Sequence, residues 1–422
     1  MKIGTPALVS YMPLRRRLAL RLAGSVALLQ AGACAGRQAV PSRMPPMVFV
    51  HGFKGGTLVG PGGELGWLSG RAALGWQTPP LRLPLAWDGE LQCRDAWRPG
   101  APLRQVTVVP WLLEESVYAP WLDAAESWGY PIYPFAYDWR RDNLESLTSL
   151  TAHVEAVRQR HGGGPVRLVA HSMGGLISLP LINAHPEYFH DVIFAGVPFR
   201  GGSGFLPDLH VGTAVARNEG LLSPAVVFSF PAAYGFFDLE GTGLAEADGR
   251  PRPIDWFSAA AWAEAGLGLF APEAARPAGL TDAELTTFLQ RALTRARQFR
   301  ALQVATAGPY PPILVILARN RPTYVTAWHG GPRSVRGWDF DSAPRELGDG
   351  RVAERFALPP DGIPFQRCES LAGHVELLGD PVVHACLRAR FARLDGDLSA
   401  PPEAPRAEPA PGAPAPPPAP RR

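Results

Sequence analysis

The sequence predicts an α/β protein with a mostly parallel sheet covered by helices on both faces. Short, nearly all-apolar runs alternate with stretches of helical spacing, and a serine stands between one such run and an apolar helix-like segment. Strands that are apolar on both faces are typical of a parallel sheet buried between helices. The predicted strands are 47–50, 105–113, 131–139, 166–170, 191–199, 313–318 and 364–368.

Helix-like stretches follow several of these runs. Apolar residues recur there at three- and four-residue spacing, or the whole stretch is apolar, which predicts helices packed against the sheet. These stretches are 118–130, 143–163, 175–184, 282–303 and 380–394.

The two ends of the chain differ from the part between them. Residues 1–33 carry five basic side chains, no acid and a final apolar run, which predicts a signal peptide. Cleavage before Cys34 and lipid attachment to Cys34 are alternative outcomes, and residues 34–45 are expected to be a linker. Residues 399–422 are rich in Pro and Ala and predict a disordered tail.

Charge and cysteine content narrow the function classes. The formal net charge is +3 and falls to −2 without the five basic residues of the leader, so nothing indicates a nucleic-acid partner. Either Cys368 and Cys386 form a disulfide in an oxidising compartment, or these two and Cys93 are isolated. No CxxC pair or His/Cys cluster indicates a metal, and no cofactor is expected.

Two segments interrupt the alternation of strands and helices. Residues 58–103 are rich in Gly, Pro and Trp, and residues 203–300 hold many aromatic residues with little strand pattern. We expect both to be excursions over the sheet, the second of them a cap or lid. The core would then comprise residues 46–202 and 301–398.

Ser172 in "LVAHSMGG" has the pattern of a nucleophile elbow. In α/β-hydrolases a strand, a sharp turn bearing Ser and a helix present the hydroxyl, and the residues two before and two after must be small. Here these residues are Ala170 and Gly174. The alternative is an ordinary turn in which Ser172 only caps the helix.

A serine nucleophile needs a histidine as base and a carboxylate to orient that histidine. The chain order in this fold is Ser, acid, His, which leaves three histidines. His374 precedes a helix and is favoured over His329 and over His384, which falls within a predicted helix. Asp349 in "LGDGRV" is the favoured acid; the rivals are Asp339 and Asp341, and any of these could be a plain turn aspartate.

The negative oxygen of the tetrahedral intermediate needs backbone N–H donors. One is expected from Met173, directly after the serine. The other is expected from Phe53, in the "HGFKGG" loop after the first strand. His51 in the same loop is expected to make hydrogen bonds rather than act as the base, because it precedes the serine.

Several motifs together resemble the lecithin:cholesterol acyltransferase-like family, which includes phospholipid:diacylglycerol acyltransferases and lysosomal phospholipases. The motifs are "HGFKGG", "FAYDWRRD", "AHSMGG", "GVPFRGG", "GDGRV" and "GHVELLGD", in family order across about residues 46–395. The resemblance implies a triad of Ser172, Asp349 and His374, with Phe53 and Met173 as the oxyanion hole. Arg351 departs from the family, which commonly has Thr there.

The resemblance implies an exported lipid acyl hydrolase or O-acyltransferase that works through an acyl-serine at a membrane or lipid-particle surface. We expect Trp67 and Trp76 to contribute to docking there, unless these tryptophans are packed under loops. Asp138 and Arg140 are expected to form a structural ion pair rather than to contact substrate. The alternatives are a secreted triacylglycerol lipase or carboxylesterase with the same triad and a catalytically silent binding protein.

Overall fold

The computed structural model describes residues 44–109 and 113–396, with the side chains of 107–109 and 113–115 excepted. The predicted signal peptide, Cys34, most of the predicted linker and the Pro/Ala-rich tail lie outside the described residues. Within them, a central sheet has six strands: β1 Met47–Val50, β2 Ile132–Phe135, β3 Val166–His171, β4 Phe189–Ala195, β5 Ile313–Ala318 and β6 Gln366–Ser370.

All six strands of this sheet run parallel, in the order β6-β5-β4-β3-β1-β2. The four central strands are buried on both faces apart from one residue of β4. This burial is the physical reason for their mostly apolar sequences, because neither face of such a strand meets water. The predicted mostly parallel sheet is therefore confirmed.

Five longer helices accompany the sheet: α1 Ala119–Ser127, α2 Asn143–Arg160, α3 Met173–Ala184, α4 Asp282–Ala301 and α5 Pro381–Asp395. The first residues of several are fixed by side-chain caps. Asp142 accepts a hydrogen bond from the backbone of α2, and Thr281 and Glu284 form a capping box at the start of α4.

Alternate residues of β1 divide between the two faces of the sheet. Met47 and Phe49 pack with side chains of α1 and α5, while Val48 and Val50 pack with side chains of α2, α3 and α4. The two-residue repeat of a strand produces this division. The sheet is consequently covered on both faces, as predicted for the α/β class.

One predicted strand does not join the sheet. Gln105–Val109 pairs antiparallel with Leu113–Ser116 in a separate two-stranded unit, so assigning 105–113 to the central sheet was wrong. In the central sheet, β1 pairs with β2 and β3, and β2 is the edge strand, whereas Gln105–Val109 pairs with Leu113–Ser116. A short β-rich run alone cannot distinguish a core strand from a hairpin.

Smaller elements lie in the two excursions and in the loops between the main strands and helices. The short strands are Gly56–Val59, Leu65–Trp67, Trp87–Asp88, Leu91–Gln92, Arg98–Pro102, Thr213–Val215, Asn218–Leu222, Leu244–Glu246, Arg321–Thr323, Ala327–His329, Trp338–Asp339 and Glu346–Gly348. The short α-helices are Gly70–Ala73, Leu206–His210, Pro224–Val227, Pro231–Tyr234 and Ala259–Glu264. The 3₁₀ turns are Pro186–Tyr188, Ser203–Phe205, Gly268–Phe270, Glu354–Phe356 and Leu377–Gly379.

The two excursions contact each other and the rest of the chain. Asn218 donates hydrogen bonds to the carbonyls of Ala72 and Gln77, which joins the second excursion to the first. Leu244–Glu246 pairs in parallel with Ala327–His329, so one small sheet combines residues on both sides of position 300. Within the described residues, no helix is both long enough and apolar enough to cross a membrane.

Candidate active site

Ser172 lies in the sharp turn between β3 and α3. Its φ of 53° and ψ of −126° form a left-handed conformation that residues with side chains rarely adopt. A Cβ on Gly174 would lie 2.5 Å from the carbonyl oxygens of both Val50 and His51, so glycine is required two residues after the serine. Ala170, two residues before, is fully buried. This is the geometry of a nucleophile elbow.

His374 and Asp349 are brought to the serine from the chain after β5. Nε2 of His374 is 3.0 Å from Oγ of Ser172, and Nδ1 is 2.7 Å from Oδ2 of Asp349. Because the carboxylate only accepts, Nδ1 carries the proton and donates it to Asp349. Nε2 is then free to accept the hydroxyl proton of Ser172.

Asp349 is held by its own loop as well as by His374. Its Oδ1 accepts hydrogen bonds from the N–H groups of Arg351 at 2.8 Å and Val352 at 2.6 Å. Burial alone would raise the pKa of Asp349, but the electrostatic interaction and hydrogen bond with His374 and the two N–H donors hold this pKa below its ordinary value. The carboxylate is therefore ionised while buried.

Gly196, at the end of β4, explains part of the "GVPFRGG" motif. It has φ 57°, and a Cβ there would lie 3.0 Å from both Asp349 Oδ2 and His374 Nδ1. A side chain at this position would press on the hydrogen bond between these two residues. Gly196 of this motif therefore leaves the space that the hydrogen bond between Asp349 and His374 needs.

The loop after β1 touches the serine directly. A Cβ on Gly52 would lie 2.8 Å from the Cβ of Ser172. Phe53 directly follows Gly52 and Met173 directly follows Ser172 in the chain. Phe53 lines the cavity described below, whereas Met173 is fully buried. The oxyanion hole formed by their N–H groups stays a prediction.

A hydrogen-bonded link connects the loop after β1 with the loop that carries His374, and the sequence analysis missed it. Nε2 of His171 is 2.9 Å from the carbonyl of His374, so it carries a proton, and Nδ1 accepts from the hydroxyl of Tyr118 at 2.8 Å. The same hydroxyl accepts from the N–H of Gly52 at 3.0 Å. Tyr118 and His171 thus connect the loop before Phe53 to the backbone of His374.

His171 stays neutral in this link. Burial, followed by the nearby His374, lowers the pKa of His171 to about 3. Its position directly before Ser172 was a signal that sequence analysis could have used. Tyr118 offers no comparable signal, because it stands at the start of a helix far away along the chain.

His51 has the hydrogen-bonding role that was expected of it. Its Nδ1 is 2.9 Å from the carbonyl of Gly52, and its ring stacks on Tyr137 with centroids 4.3 Å apart. Burial lowers the pKa of His51 to about 4. It therefore supports the loop as a neutral ring.

The rival histidines are occupied elsewhere. His384 lies in α5, where it bonds the carbonyl of Leu378 at 2.7 Å, and His329 pairs with Glu246 at 3.2 Å. Neither is among the residues that line the cavity at Ser172.

The rival acids are turn aspartates. Asp339 accepts from the N–H groups of Arg333, Asp341 and Ser342. Burial opposes its charge, but these donors lower the pKa of Asp339 to about 2. Asp341 pairs with Arg345 at 3.3 Å and is largely exposed.

Asp138 and Arg140 form the expected ion pair. Arg140 is fully buried and bonds both oxygens of Asp138 as well as Asp95 and the carbonyl of Leu81. Neither member lines the cavity at Ser172. The pair joins the first excursion to the loop after β2, which is a structural role.

A cavity of about 460 Å³ opens at Ser172 and His374. Most of its wall is apolar or aromatic, and it draws on both excursions. Members of the wall include Phe53, Trp67, Leu68, Phe205, Phe236 and Val352. Such a cavity can hold an acyl chain with its carbonyl at the hydroxyl of Ser172.

The four tryptophans of the first excursion have different surroundings. Trp67 is 4% exposed and belongs to the cavity wall, where its Nε1 donates to the carbonyl of Lys54. Trp76 is 72% exposed, while Trp87 and Trp97 are partly buried against the core. Among these four, Trp76 alone presents most of its ring to solvent.

The described residues contain no group of three or more His, Cys, Asp or Glu side chains that could hold a metal ion. Cys93, Cys368 and Cys386 carry free thiols in this structure. Burial, and then the hydrogen bond with Cys386, raise the pKa of Cys368.

The fold and the elbow define the class of this protein as an α/β-hydrolase. A family model described as "Serine aminopeptidase, S33" matches residues 142–224, which include the elbow. One chain of a solved structure titled "The crystal structure of Tle4-Tli4 complex" superimposes with a TM-score of 0.52 at 14% identity, covering 83% of this chain and 97% of that chain. This likeness concerns the fold alone.

Within that class, curated relatives confirm the resemblance to lecithin:cholesterol acyltransferase-like proteins. "Phospholipase A(1) LCAT3" from Arabidopsis thaliana is 34% identical over 101 residues, covering 22% of each chain. "Lysosomal phospholipase A and acyltransferase" from Mus musculus is 32% identical over 98 residues, covering 20% of this chain and 24% of that relative. The matches thus span about a quarter or less of these relatives.

Proposed function

We propose that the protein is a serine-dependent lipid acyl hydrolase or O-acyltransferase that acts on phospholipid or glycerolipid esters. Ser172 is the nucleophile, His374 the general base and Asp349 the acid that orients it. The observation that carries the proposal is the continuous hydrogen-bonded chain from Ser172 to Asp349 at the wall of a largely apolar cavity.

The first half-reaction follows from the proton positions. Nε2 of His374 takes the hydroxyl proton while Oγ of Ser172 bonds to the ester carbonyl carbon. The buried carboxylate of Asp349 stabilises the imidazolium that forms. The N–H groups of Phe53 and Met173 are proposed to bind the oxygen that becomes negative.

His374 then returns its proton to the leaving lipid alcohol, which completes the first half-reaction and leaves an acyl-Ser172 ester. In the second half-reaction, a water molecule or the hydroxyl of a second lipid loses a proton to His374 and attacks this ester. His374 gives that proton to Oγ of Ser172 as the acyl product leaves, which restores the hydroxyl. Free fatty acid is the product with water, and a new lipid ester is the product with an alcohol.

The apolar cavity and the printed names of the relatives support lipid as the substrate class. Exposed Trp76 supports docking at a membrane or lipid-particle surface, because aromatic rings favour such interfaces. The test measures vesicle binding of the wild type, of Trp76→Ala and of the control Arg250→Gln. If Trp76→Ala binds vesicles as well as the wild type and the control do, this docking role is contradicted. The leader-like residues 1–33 support an exported location.

The second candidate function is that of a broad triacylglycerol lipase or carboxylesterase. The same triad and the mostly uncharged wall of the active-site cavity favour it. It predicts better turnover of a soluble p-nitrophenyl ester than of phospholipid vesicles. An aminopeptidase has less support, because the one acidic side chain among the described residues lining the cavity, Asp208, is already paired with Arg351.

The experiment incubates purified full-length protein with phosphatidylcholine vesicles that contain a sterol or diacylglycerol, and separates the products. Ser172→Ala is the control. Fatty acid alone indicates a hydrolase, and a new neutral ester indicates a transferase. Products from Ser172→Ala equal to those of the wild type, or no lipid product from active, fluorophosphonate-reactive protein, would contradict the proposal.

A further inference from the structure

Two cations and one acid occupy the wall of the active-site cavity. Nη2 of Arg351 is 2.6 Å from Oδ2 of Asp208, and Nζ of Lys54 is 3.9 Å from Oδ1 of the same carboxylate. Thr213 also donates to Asp208, at 2.7 Å. All four residues line the cavity that holds Ser172 and His374.

The two loops that build the catalytic site also position these cations. Lys54 directly follows Phe53, and Arg351 lies two residues after Asp349, to which its own N–H donates. Both side chains therefore line the same cavity as Ser172, where a polar group of a bound ester can meet them.

The backbone gives no reason for a lysine at position 54. Its φ is 65°, a left-handed conformation in which glycine or asparagine is favoured. The ammonium of Lys54 nevertheless lies at the cavity wall, 3.9 Å from Asp208, so the side chain is placed where it can meet a ligand.

Positive charge exceeds negative charge in this cluster. Lys54 and Arg351 share the one carboxylate, and Asp208 is the sole acidic side chain among the described residues lining the cavity. The side chains of Lys54 and Arg351 are 27% and 39% exposed, so both can reach a ligand, whereas that of Asp208 is 5% exposed. The cavity carries a net positive charge that nothing in its described wall balances.

The pKa values of Lys54 and Asp208 reflect burial as well as the charges of this cluster. Burial and, to a smaller extent, the charge of Arg351 lower the pKa of Lys54 against the opposing effect of Asp208. Burial opposes ionisation of Asp208, yet Arg351 and Lys54 bring its pKa below its ordinary value. An anion in the cavity would stabilise both cations.

The site is poorly suited to a second cation. Arg351 already lies over the ring of Phe205 at 5.2 Å, and Lys54 is 5.8 Å from the ring centre of Phe53. A quaternary ammonium that approached these rings would meet like charge.

We propose that Arg351 and Lys54 bind the phosphate of the substrate and make the enzyme prefer phospholipids with a net negative headgroup. The inference rests on the proposed function and adds the headgroup class. Arg351 presents a planar fork that matches phosphate oxygens, and Lys54 adds a point charge. The residue that departs from the resembled family, Arg351, thus becomes a specificity residue.

The test uses short-chain lipids below the concentration at which they aggregate, so that attraction to a charged surface cannot contribute. Dihexanoyl phosphatidylglycerol, dihexanoyl phosphatidylcholine and dihexanoylglycerol are compared by kcat/KM. Both phospholipids offer the phosphate, but the choline ammonium would meet the like charge of Arg351 and Lys54, so we expect kcat/KM for the anionic lipid to exceed that for the zwitterionic one by about tenfold.

Substitutions test whether Arg351 and Lys54 cause the preference for the anionic headgroup. Arg351→Gln and Lys54→Gln should each raise KM for phosphatidylglycerol and reduce the preference toward unity, while Arg351→Lys should restore part of it. Arg250→Gln removes the same charge from an exposed pair with Asp248 and is the matched control.

Three results would overturn the inference: equal turnover of both monomeric phospholipids by the wild type, an unchanged preference in Arg351→Gln and Lys54→Gln, or a preference that appears only on vesicles. Failure of the proposed function differs, because then none of the three lipids is hydrolysed. Turnover of dihexanoylglycerol without a headgroup preference contradicts this inference alone.

Discussion

The two ends of the central sheet both bury charged groups, but they hold them differently. At the amino end, Arg167 bonds Asp191 at 3.1 Å and Asp395 at 2.9 Å, and Arg390 bonds Asp191 at 2.6 Å. All four side chains are almost fully buried, and Tyr130, His190 and Gln366 supply further hydrogen bonds to this network. At the carboxyl end, Ser172 and His374 face an open cavity.

This difference separates a structural network from a reactive one. At the amino end, the buried ion pairs fix β3, β4 and α5 relative to each other. Their charged groups are not accessible to a ligand. At the carboxyl end, a strained serine backbone and a histidine nitrogen facing only that serine are maintained by surrounding contacts. Substitutions should therefore affect stability at one end and activity at the other.

Asp349→Asn should have the greatest consequence for activity. The amide can donate to Nδ1 of His374 and stabilise the wrong tautomer, so kcat should fall about 10⁴-fold. The assay is p-nitrophenyl ester hydrolysis, together with a thermal midpoint that stays close to the wild type. Asp341→Asn, at the exposed rival acid, is the control. A loss of less than about tenfold would remove Asp349 from the triad.

Asp191→Asn should have the greatest consequence for stability. The substitution removes the negative charge that Arg167 and Arg390 share. Removing one partner of a buried ion pair lowers the free energy of unfolding by about 3–5 kcal/mol. Urea unfolding measures the change, and kcat per folded molecule should be retained. Asp248→Asn, in the exposed pair with Arg250, should cost about 0–1 kcal/mol. Equal effects of the two substitutions would refute the structural role of the amino-end network.

Tyr118→Phe should reduce kcat about tenfold, the kinetic equivalent of about 1.4 kcal/mol, with little change in KM. The phenol connects Gly52 to His171, so its removal loosens the loop before Phe53 without touching the triad. Steady-state kinetics on a soluble ester measures the effect. Unchanged kcat would mean that the link between the two loops has no catalytic consequence.

Ser172→Gly and Ser172→Ala should both be inactive but differ in stability. Glycine accepts φ 53° without strain, so Ser172→Gly should exceed Ser172→Ala in free energy of unfolding by about 1 kcal/mol. Denaturant titration of the two proteins measures the difference. A more stable alanine variant would show that the elbow is not strained.

Residues with a strong local pattern could be predicted from the sequence. Ser172 has a strand before it and a helix after it. The order Ser, acid, His left three histidines, and local context favoured His374 and Asp349, which the structure brings together. The central strands were predicted because each is apolar on both faces. The run at 105–113 failed because a hairpin strand and a core strand share the same local pattern.

Residues that act through partners distant along the chain could not be predicted. Tyr118 meets Gly52 and His171 only after β1 and β3 are paired, and no spacing rule connects these positions. Arg351 was visible as an unusual charge, but Asp208, which holds it, lies in an excursion without a recognisable motif. Gly196 was part of a quoted motif, yet its contact with Asp349 and His374 depends on the fold.

The central claim is that Ser172 is a nucleophile activated by His374 and Asp349. Incubation with a fluorophosphonate, followed by intact-mass measurement and peptide mapping, tests it most directly. We predict one added phosphonyl group on the peptide that contains Ser172 in the wild type, about 10⁴-fold slower labelling in Asp349→Asn and none in Ser172→Ala. Labelling of Ser172→Ala at the wild-type rate, or no labelling of folded wild-type protein, would contradict the account.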